Sequence, residues 1–250
     1  MNRSPARPPS LGELLSTVRG GSKPVAIVLA GHNGSGKSTL WHEKLSPVVK
    51  MPLINADRLL MSILPEPVPG GNLVAWASKL RDNDTRWQRL TQTGVSAFQA
   101  LVTDHKMAFG IETVFSHWAV KPDGSIESKI DLITDLQSKG YLVVLIFVGL
   151  ASVALSILRV STRRARGGHS VPLGKLKERF PRTQMAVGRA SNVADVTIMF
   201  DNSLGTDQAF RIARVQRRSR VLYDCRKSSD PSSRELSVVA SPWLGIVSPI

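Results

Sequence analysis

The stretch Gly31-His32-Asn33-Gly34-Ser35-Gly36-Lys37-Ser38, with Thr39 directly after it, decides how this chain is read. It fits G-x-x-x-x-G-K-[ST], the pattern of a phosphate-binding loop. The run before it, Val25-Ala26-Ile27-Val28-Leu29-Ala30, is apolar and rich in β-branched residues, as a buried parallel strand requires. The run after it, from Lys37 towards Lys50, opens as a helix. Strand, glycine loop and helix therefore stand in the order that separates a working loop from a chance match. Gly31, Gly34 and Gly36 let backbone N–H groups close on phosphate oxygens, and the helix N-terminus adds its partial positive charge. In such a loop Lys37 reaches the β- and γ-phosphates and Ser38 offers a hydroxyl to Mg²⁺. The expectation is a protein that binds a nucleoside triphosphate, ATP with Mg²⁺, through residues 31–39.

Working outward, Met51 to Arg58 follows, where Pro52 opens a short second strand that ends at Asn55. That leaves Asp57 and Arg58 at its C-terminal tip, the edge of an open parallel sheet that holds the ligand crevice. A carboxylate and a guanidinium there suit the activation of a hydroxyl and the pairing of a phosphate. Equally, an Asp ahead of Leu59-Leu60-Met61 suits the cap of a helix. Pro65 to Gly71 reads as a loop, and helices are expected over Leu73 to Leu80 and Thr85 to His105, with Trp76 and Trp87 packed in that layer. A third strand, Met107 to Thr113, brings Glu112, Thr113, Ser116 and His117 to the same edge. A glutamate closing an apolar strand is costly to bury without a partner. Glu112 is therefore assigned to binding a substrate hydroxyl or to orienting the waters of a metal, whereas His117 reads as a surface residue.

Ile126, Ile130, Ile133 and Leu136 recur at helical spacing within a helix expected over Gly124 to Lys139, stopped by Gly140. The eighteen residues Tyr141 to Leu158 carry no charge, the lower edge of a membrane span. A buried fourth strand, Tyr141 to Val148, then Gly149 and a helix from Ala151 to Arg159 account for the same apolarity. Arg159, Arg163, Arg164 and Arg166 precede Gly167 and Gly168. That placement fits a mobile lid whose arginines neutralise a transferring phosphoryl group, since the planar guanidinium binds phosphate oxygens in pairs. A helix over Leu173 to Ser191 and a fifth strand from Asp195, ending at Asp201-Asn202-Ser203, complete the core. Phe210 to Val215 and Arg220 to Cys225 suit an added hairpin. The last sixteen residues are mostly apolar but contain two prolines, and the pattern assigns them no element.

The fold expected is α/β, a P-loop NTPase or kinase fold with a mostly parallel five-stranded sheet flanked by helices, an arginine-rich lid and a C-terminal hairpin. Residues 1–23 read as a leader, 24–204 as the kinase domain and 205–250 as an extension. The hydrophobic content of 42% is that of a globular chain, and the single Cys225 excludes a disulfide framework and points to a reducing compartment, the cytoplasm. The formal charge of +14 invites a nucleic-acid reading. Basic residues gather at Arg159 to Arg166 and Arg211 to Arg226, where only Tyr223 offers a ring to stack on bases, so general basicity favours polyanionic ligands without choosing among them.

Taken together, the loop Gly31 to Thr39, Asn55-Ala56-Asp57-Arg58, Glu112-Thr113-Val114-Phe115-Ser116, the Arg159…Arg163…Arg166-Gly167-Gly168-His169-Ser170-Val171-Pro172 stretch and Asp201-Asn202-Ser203 resemble the zeta toxin family of P-loop kinases. The resemblance covers about Val25 to Ser203, and its most specific part is the Gly-Gly-His-x-Val-Pro stretch. It implies ATP-dependent phosphorylation of a sugar-nucleotide hydroxyl, typically on UDP-N-acetylglucosamine, by a toxin with a cognate antitoxin. It further implies that Lys37 and Ser38 hold ATP and Mg²⁺ and that Asp57 is the general base. Asn55, Arg58, Glu112, Thr113 and Ser116 would then serve the acceptor, and Arg159 with Arg163 or Arg166 the transition state. Other acceptors (a nucleoside, NAD, an antibiotic), a nucleic-acid-stimulated NTPase and an inactive binding protein are the alternatives.

Overall fold

The computed structural model describes residues 7–67, 73–124, 126–165 and 171–249. Ahead of the sheet lies α1 (Leu11–Arg19), held at its start by a capping box between Ser10 and Glu13 and seated through the buried Leu15. β1 (Val25–Gly31) is buried along its whole length, which is why its sequence does not alternate. After the glycine loop the helix expected from Lys37 towards Lys50 is present, with a π-helical turn (Trp41–Leu45) set between α2 (Lys37–Leu40) and α3 (Ser46–Val49). The wide turn keeps both Trp41 and Leu45 buried. The Trp41 ring packs against the third strand, where a Cβ on Gly110 would come within 2.5 Å of it. Lys50, at φ +48°, ends the run.

β2 (Leu53–Ile54) leads through Asn55 into α4 (Ala56–Ser62), then α5 (Ala75–Asn83) and α6 (Thr85–Asp104). The two tryptophans of this layer part company. Trp87 packs with Leu64, Leu73 and Ala77, whereas Trp76 is 57% exposed, so its expected place in the packing is corrected. β3 (Phe109–Thr113) is followed by a small hairpin, β4 (Trp118–Val120) and β5 (Ile126–Ser128). The helix expected from Gly124 therefore starts later, as α7 (Ile130–Ser138). Gly124 takes φ +80° in the hairpin turn, and Ser128 and Asp131 bond backbone N–H groups at the helix entry, so Ile126 is spent in a strand although its spacing is helical.

β6 (Leu142–Gly149), α8 (Val153–Ala165), α9 (Leu173–Val193), β7 (Val196–Asp201), β8 (Arg211–Arg217), β9 (Arg220–Asp224) and α10 (Ser233–Val247) complete the chain. One sheet of seven strands runs β2-β3-β1-β6-β7-β8-β9. The first five are mutually parallel, as expected, and the C-terminal hairpin adds two antiparallel strands to the same sheet. Among the described residues no helix is long and apolar enough to cross a membrane, and the uncharged run from Tyr141 is divided between β6 and α8.

The C-terminal residues that resisted reading form α10, whose buried Leu236, Ala240, Trp243, Leu244 and Val247 make one apolar stripe despite Pro242. Trp243 closes the core: its ring lies on Gly149, it meets Phe147 edge-on at 5.3 Å, and its Nε1 donates to Asp201 Oδ2 at 2.7 Å. Part of the basic stretch Arg211 to Arg226 is likewise internal. Arg214 and Arg226 both pair with the fully buried Asp224. Cys225 beside them is buried, and burial pushes its thiol up to about 12, so it is an unreactive packing residue.

Candidate nucleotide and phosphoryl-transfer site

β1 ends between β3 and β6, and the parallel order puts the C-terminal tips of β2, β3, β1, β6 and β7 along one edge. The glycine loop sits at the middle of that edge, and its shape depends on residues having no side chain. Gly34 and Gly36 hold φ +71° and +92°, in the left-handed region that favours glycine. A Cβ on Gly34 would stand 3.1 Å from Ser156 O, and one on Gly36 only 2.6 Å from Asn202 Nδ2. The loop is clamped from both sides. Ser156 Oγ on α8 donates to Asn33 O at 2.7 Å, and Asn202 Nδ2 at the end of β7 donates to Ser35 O at 2.8 Å.

Lys37 is buried and bonds the loop itself, donating from Nζ to Gly31 O at 3.1 Å and to His32 O at 2.9 Å. Burial lowers the pKa of this ammonium; the carboxylates of Glu112 and Asp57 oppose that shift, and Arg163 adds to it. Three residues read from separate stretches of sequence thus lie within electrostatic reach of one cation. Ser35 Oγ, wholly buried, has no hydrogen-bond partner in the structure. His32 is also buried with neither ring nitrogen bonded, stacked on Phe180 of α9 at 3.8 Å between centroids. Burial first, and the Lys37 charge second, push its imidazole down to about 3, so it is neutral.

Glu112, at the tip of β3, faces the loop's serine. Ser38 Oγ donates to its carboxylate, 2.9 Å from Oε1 and 3.1 Å from Oε2. The other donor is Asn55 Nδ2, at 2.7 Å from Oε2. Asn55 is at the same time the N-cap of α4, accepting from Arg58 N at 3.1 Å. Both ends of its amide are therefore used, and they tie the helix that bears Asp57 to the Ser38–Glu112 pair. Asp57 itself is an exposed first-turn residue of α4, not the cap, so the capping alternative belongs to Asn55. The Arg58 side chain turns to His42, 2.7 Å from its Nε2.

Arg159 and Arg163 lie on α8, with Arg159 Cβ only 3.2 Å from where a Cβ on Gly34 would stand. Burial lowers the Arg159 pKa and Asp201 opposes it, which leaves a half-buried cation beside the loop. Arg166 and Gly167 to Ser170 lie outside the described residues. Thr113 Oγ1 accepts from Phe115 N at 3.3 Å, and Ser116 is half-buried beyond it; neither is bonded to the loop. His117 is exposed and pairs with Glu127. Thr39 is exposed on α2. The clamping residues Ser156 and Asn202 were not predicted as site residues, and only the Asp201-Asn202-Ser203 run hinted at them.

The site fits a bound Mg²⁺–triphosphate on its own observations. The positive-φ glycines leave a cradle that a Cβ would fill, and Ser38 and Glu112 supply hard oxygen atoms of the kind magnesium takes. Among the described residues no group of three His, Cys, Asp or Glu side chains could hold a metal ion.

Five parallel strands ordered β2-β3-β1-β6-β7, with a glycine loop leading from the central β1 into a helix, define a P-loop kinase fold. The chain is similar to a solved structure of the PezAT chromosomal toxin–antitoxin system of the human pathogen Streptococcus pneumoniae, with 15% identity and a TM-score of 0.52 over 91% of this chain and 83% of that one. It is similar also to the AvrRxo1-ORF1:AvrRxo1-ORF2 complex solved with ATP, at 14% identity and a TM-score of 0.56 over 93% and 67%. The same complex solved with sulphate ions gives 14% and 0.57 over 93% and 67%. At such identities the likeness establishes the fold, and it is the fold that the zeta toxin resemblance implied. No protein-family model matches the sequence, and neither does any curated relative.

Proposed function

We propose that this protein is an ATP-dependent kinase that transfers the γ-phosphate to a hydroxyl of a small acceptor, a sugar nucleotide such as UDP-N-acetylglucosamine, in the cytoplasm, and that it is the toxin of a toxin–antitoxin pair. The observation that carries the reading is the meeting of Asp57, Glu112 and Arg163 around Lys37 at the mouth of a glycine loop. Phosphoryl transfer asks mainly for positioning and for neutralised charge, and this edge of the sheet supplies both. When bound, magnesium and the nucleotide supply the activated phosphoryl group and the charge that holds its oxygens.

The residues then divide the work. Lys37 leaves the carbonyls of Gly31 and His32 for phosphate oxygens, exchanging two neutral acceptors for charged ones. Ser38 keeps its hydroxyl oriented by Glu112, which leaves its oxygen lone pairs free, and it is the hydroxyl that would hold magnesium. Asp57, exposed at the mouth and fixed through the Asn55 cap, takes the proton of the acceptor hydroxyl. Arg159, Arg163 and Arg166 neutralise the charge that develops on the transferring group. Arg58, Thr113 and Ser116 line the approach for the acceptor. The similarity to a toxin–antitoxin structure supports the antitoxin partner.

The test is ATP consumption by the purified protein against a panel of UDP-N-acetylglucosamine, nucleosides, NAD and no acceptor. Consumption that needs the sugar nucleotide, with a phosphorylated sugar as product, supports the reading. Consumption only with another acceptor transfers the proposal to that acceptor's class, and slow acceptor-independent hydrolysis throughout removes the kinase assignment.

A further inference from the structure

The outer side of α6 is apolar and, among the described residues, uncovered. Its inner side carries the buried Thr91, Val102 and Thr103 and packs on α4, α5 and β2. The outer side carries Arg86, Leu90, Thr93, Ala97, Leu101 and Asp104, spaced by four, three, four, four and three residues. At 3.6 residues per turn that spacing sets all six in one stripe along the helix. Leu90 is 55% exposed and Leu101 54%, and Thr93 and Ala97 are exposed between them. Phe98, 44% exposed, flanks the stripe. On that side Leu59 of α4 lies against Gly94, where a Cβ would stand 2.9 Å from its Cδ2. Single apolar side chains are ordinary on a surface, but a run of them at helical spacing marks a contact face.

The stripe is complementary to itself. Leucines stand at 90 and 101, small residues at 93, 94 and 97 lie between them, and the ends carry opposite charge, Arg86 in the first turn and Asp104 as the last residue. Turned end for end, a second α6 sets Leu90 against Leu101, Arg86 against Asp104 and Gly94 against Ala97. Each contact then occurs twice, as a two-fold interface requires. A parallel copy would instead set arginine on arginine and aspartate on aspartate, so charge selects the antiparallel one. Arg86 stays 91% exposed although it pairs at 3.6 Å with Asp84, the cap of its own helix, and Asp104 is exposed. The helix dipoles act in the same sense, because the partly negative end of one helix receives Arg86 and Arg89 of the other. Small residues at the crossing let two axes approach to about 8–10 Å.

We propose that α6 is a dimerisation face on which a second copy of this chain docks antiparallel, with Leu90, Ala97 and Leu101 at its centre and an Arg86–Asp104 pair at each end. This surface is independent of the kinase reading. Leu59 brings α4, the helix that bears Asp57, to the edge of the contact. A helix of 20 residues is about 30 Å long, and one antiparallel pair of that length falls at the low end of specific interfaces, about 1,000 Å² in total. The dimer is therefore reversible, with a Kd of roughly 1–100 μM.

Sedimentation velocity of the full chain, over concentrations that bracket this Kd, is the experiment. The proteins compared are the wild type, Leu90→Asp, Leu101→Asp, Arg86→Asp, Asp104→Arg and the double variant Arg86→Asp/Asp104→Arg, each checked for a cooperative melt. The wild type is expected to pass from monomer to dimer, and each leucine variant to stay monomeric. Arg86→Asp and Asp104→Arg should each raise the Kd about tenfold or more, since both end pairs turn repulsive. The double variant restores the pairs and should recover the wild-type Kd. So should an equimolar mixture of the two single charge variants, a rescue that a merely structural role for either residue would not give. A wild type that remains monomeric throughout overturns the proposal and leaves the face to a different protein. A dimer that survives both leucine substitutions overturns it too, because the contact then lies elsewhere. Charge variants that dimerise as the wild type does, or a mixture that shows no rescue, overturn the antiparallel pairing.

Discussion

Changing Glu112 to Gln alters one atom and should shift the demand for magnesium. The carboxylate accepts from two donors, Ser38 Oγ and Asn55 Nδ2, and the second cannot turn, because Asn55 Oδ1 is held by Arg58 N. A glutamine must therefore offer its single oxygen to Asn55 and its NH₂ to Ser38. The Ser38 hydroxyl becomes an acceptor, and the lone pair proposed for a metal is occupied. Hydrogen bonds to charged groups contribute about 1.5–3 kcal/mol and neutral ones about 0.5–1.5 kcal/mol, so the change forfeits roughly 1 kcal/mol at each contact. It also removes a full negative charge beside the cation. The expected outcome is a rise of about tenfold or more in the Mg²⁺ concentration that gives half of the ATP-dependent thermal stabilisation, with ATP binding in EDTA no weaker than in the wild type. Ser38→Ala should reproduce the shift, and the double variant should add little to either, as for two groups acting through one contact. An unchanged Mg²⁺ requirement combined with a raised KM for the acceptor would refute this reasoning and give Glu112 to the acceptor instead.

Two further outcomes concern the frame around the site. His32 is held near 3 against an ordinary value of 6.5, so between those pH values the unfolded chain takes up a proton that the folded one refuses. Stability present above pH 6.5 is therefore lost on acidification, by up to about 1.4 kcal/mol per pH unit, and His32→Phe should flatten the fall of Tm with pH, with an equally steep fall counting against a buried neutral imidazole. Gly149→Ala would bring a Cβ within 2.5 Å of the Trp243 indole, an overpacking that costs about 1–3 kcal/mol and should lower Tm by several degrees, whereas an unchanged Tm would mean that α10 does not rest on β6 as described.

What the sequence disclosed was local. The apolar β-branched run before Gly31 and the run from Tyr141 made their strands visible, and the glycine spacing between them made the loop visible. What it concealed was held by distant partners. Nothing in Ser156 announces that it will bond Asn33 from a helix more than a hundred residues away, and nothing around Glu112 in the sequence announces that Ser38 and Asn55 will both donate to its carboxylate. The stripe of α10 was present in Leu236, Ala240, Trp243, Leu244 and Val247, but the interspersed serines, glycine and proline diluted it. Ile126 shows the reverse error, a residue at helical spacing that a turn at Gly124 commits to a strand. The resemblance of motifs carried the fold correctly because a phosphate loop constrains the strands on either side of it.

The most direct test of the central claim is a single-turnover transfer from γ-labelled ATP to UDP-N-acetylglucosamine by the wild type and by Asp57→Asn. The account predicts label on the sugar nucleotide with the wild type. With Asp57→Asn it predicts a transfer rate lower by about 10²–10⁴-fold and ATP affinity held within a few-fold. Label released only as inorganic phosphate, at the same rate in both proteins and with or without acceptor, would contradict it.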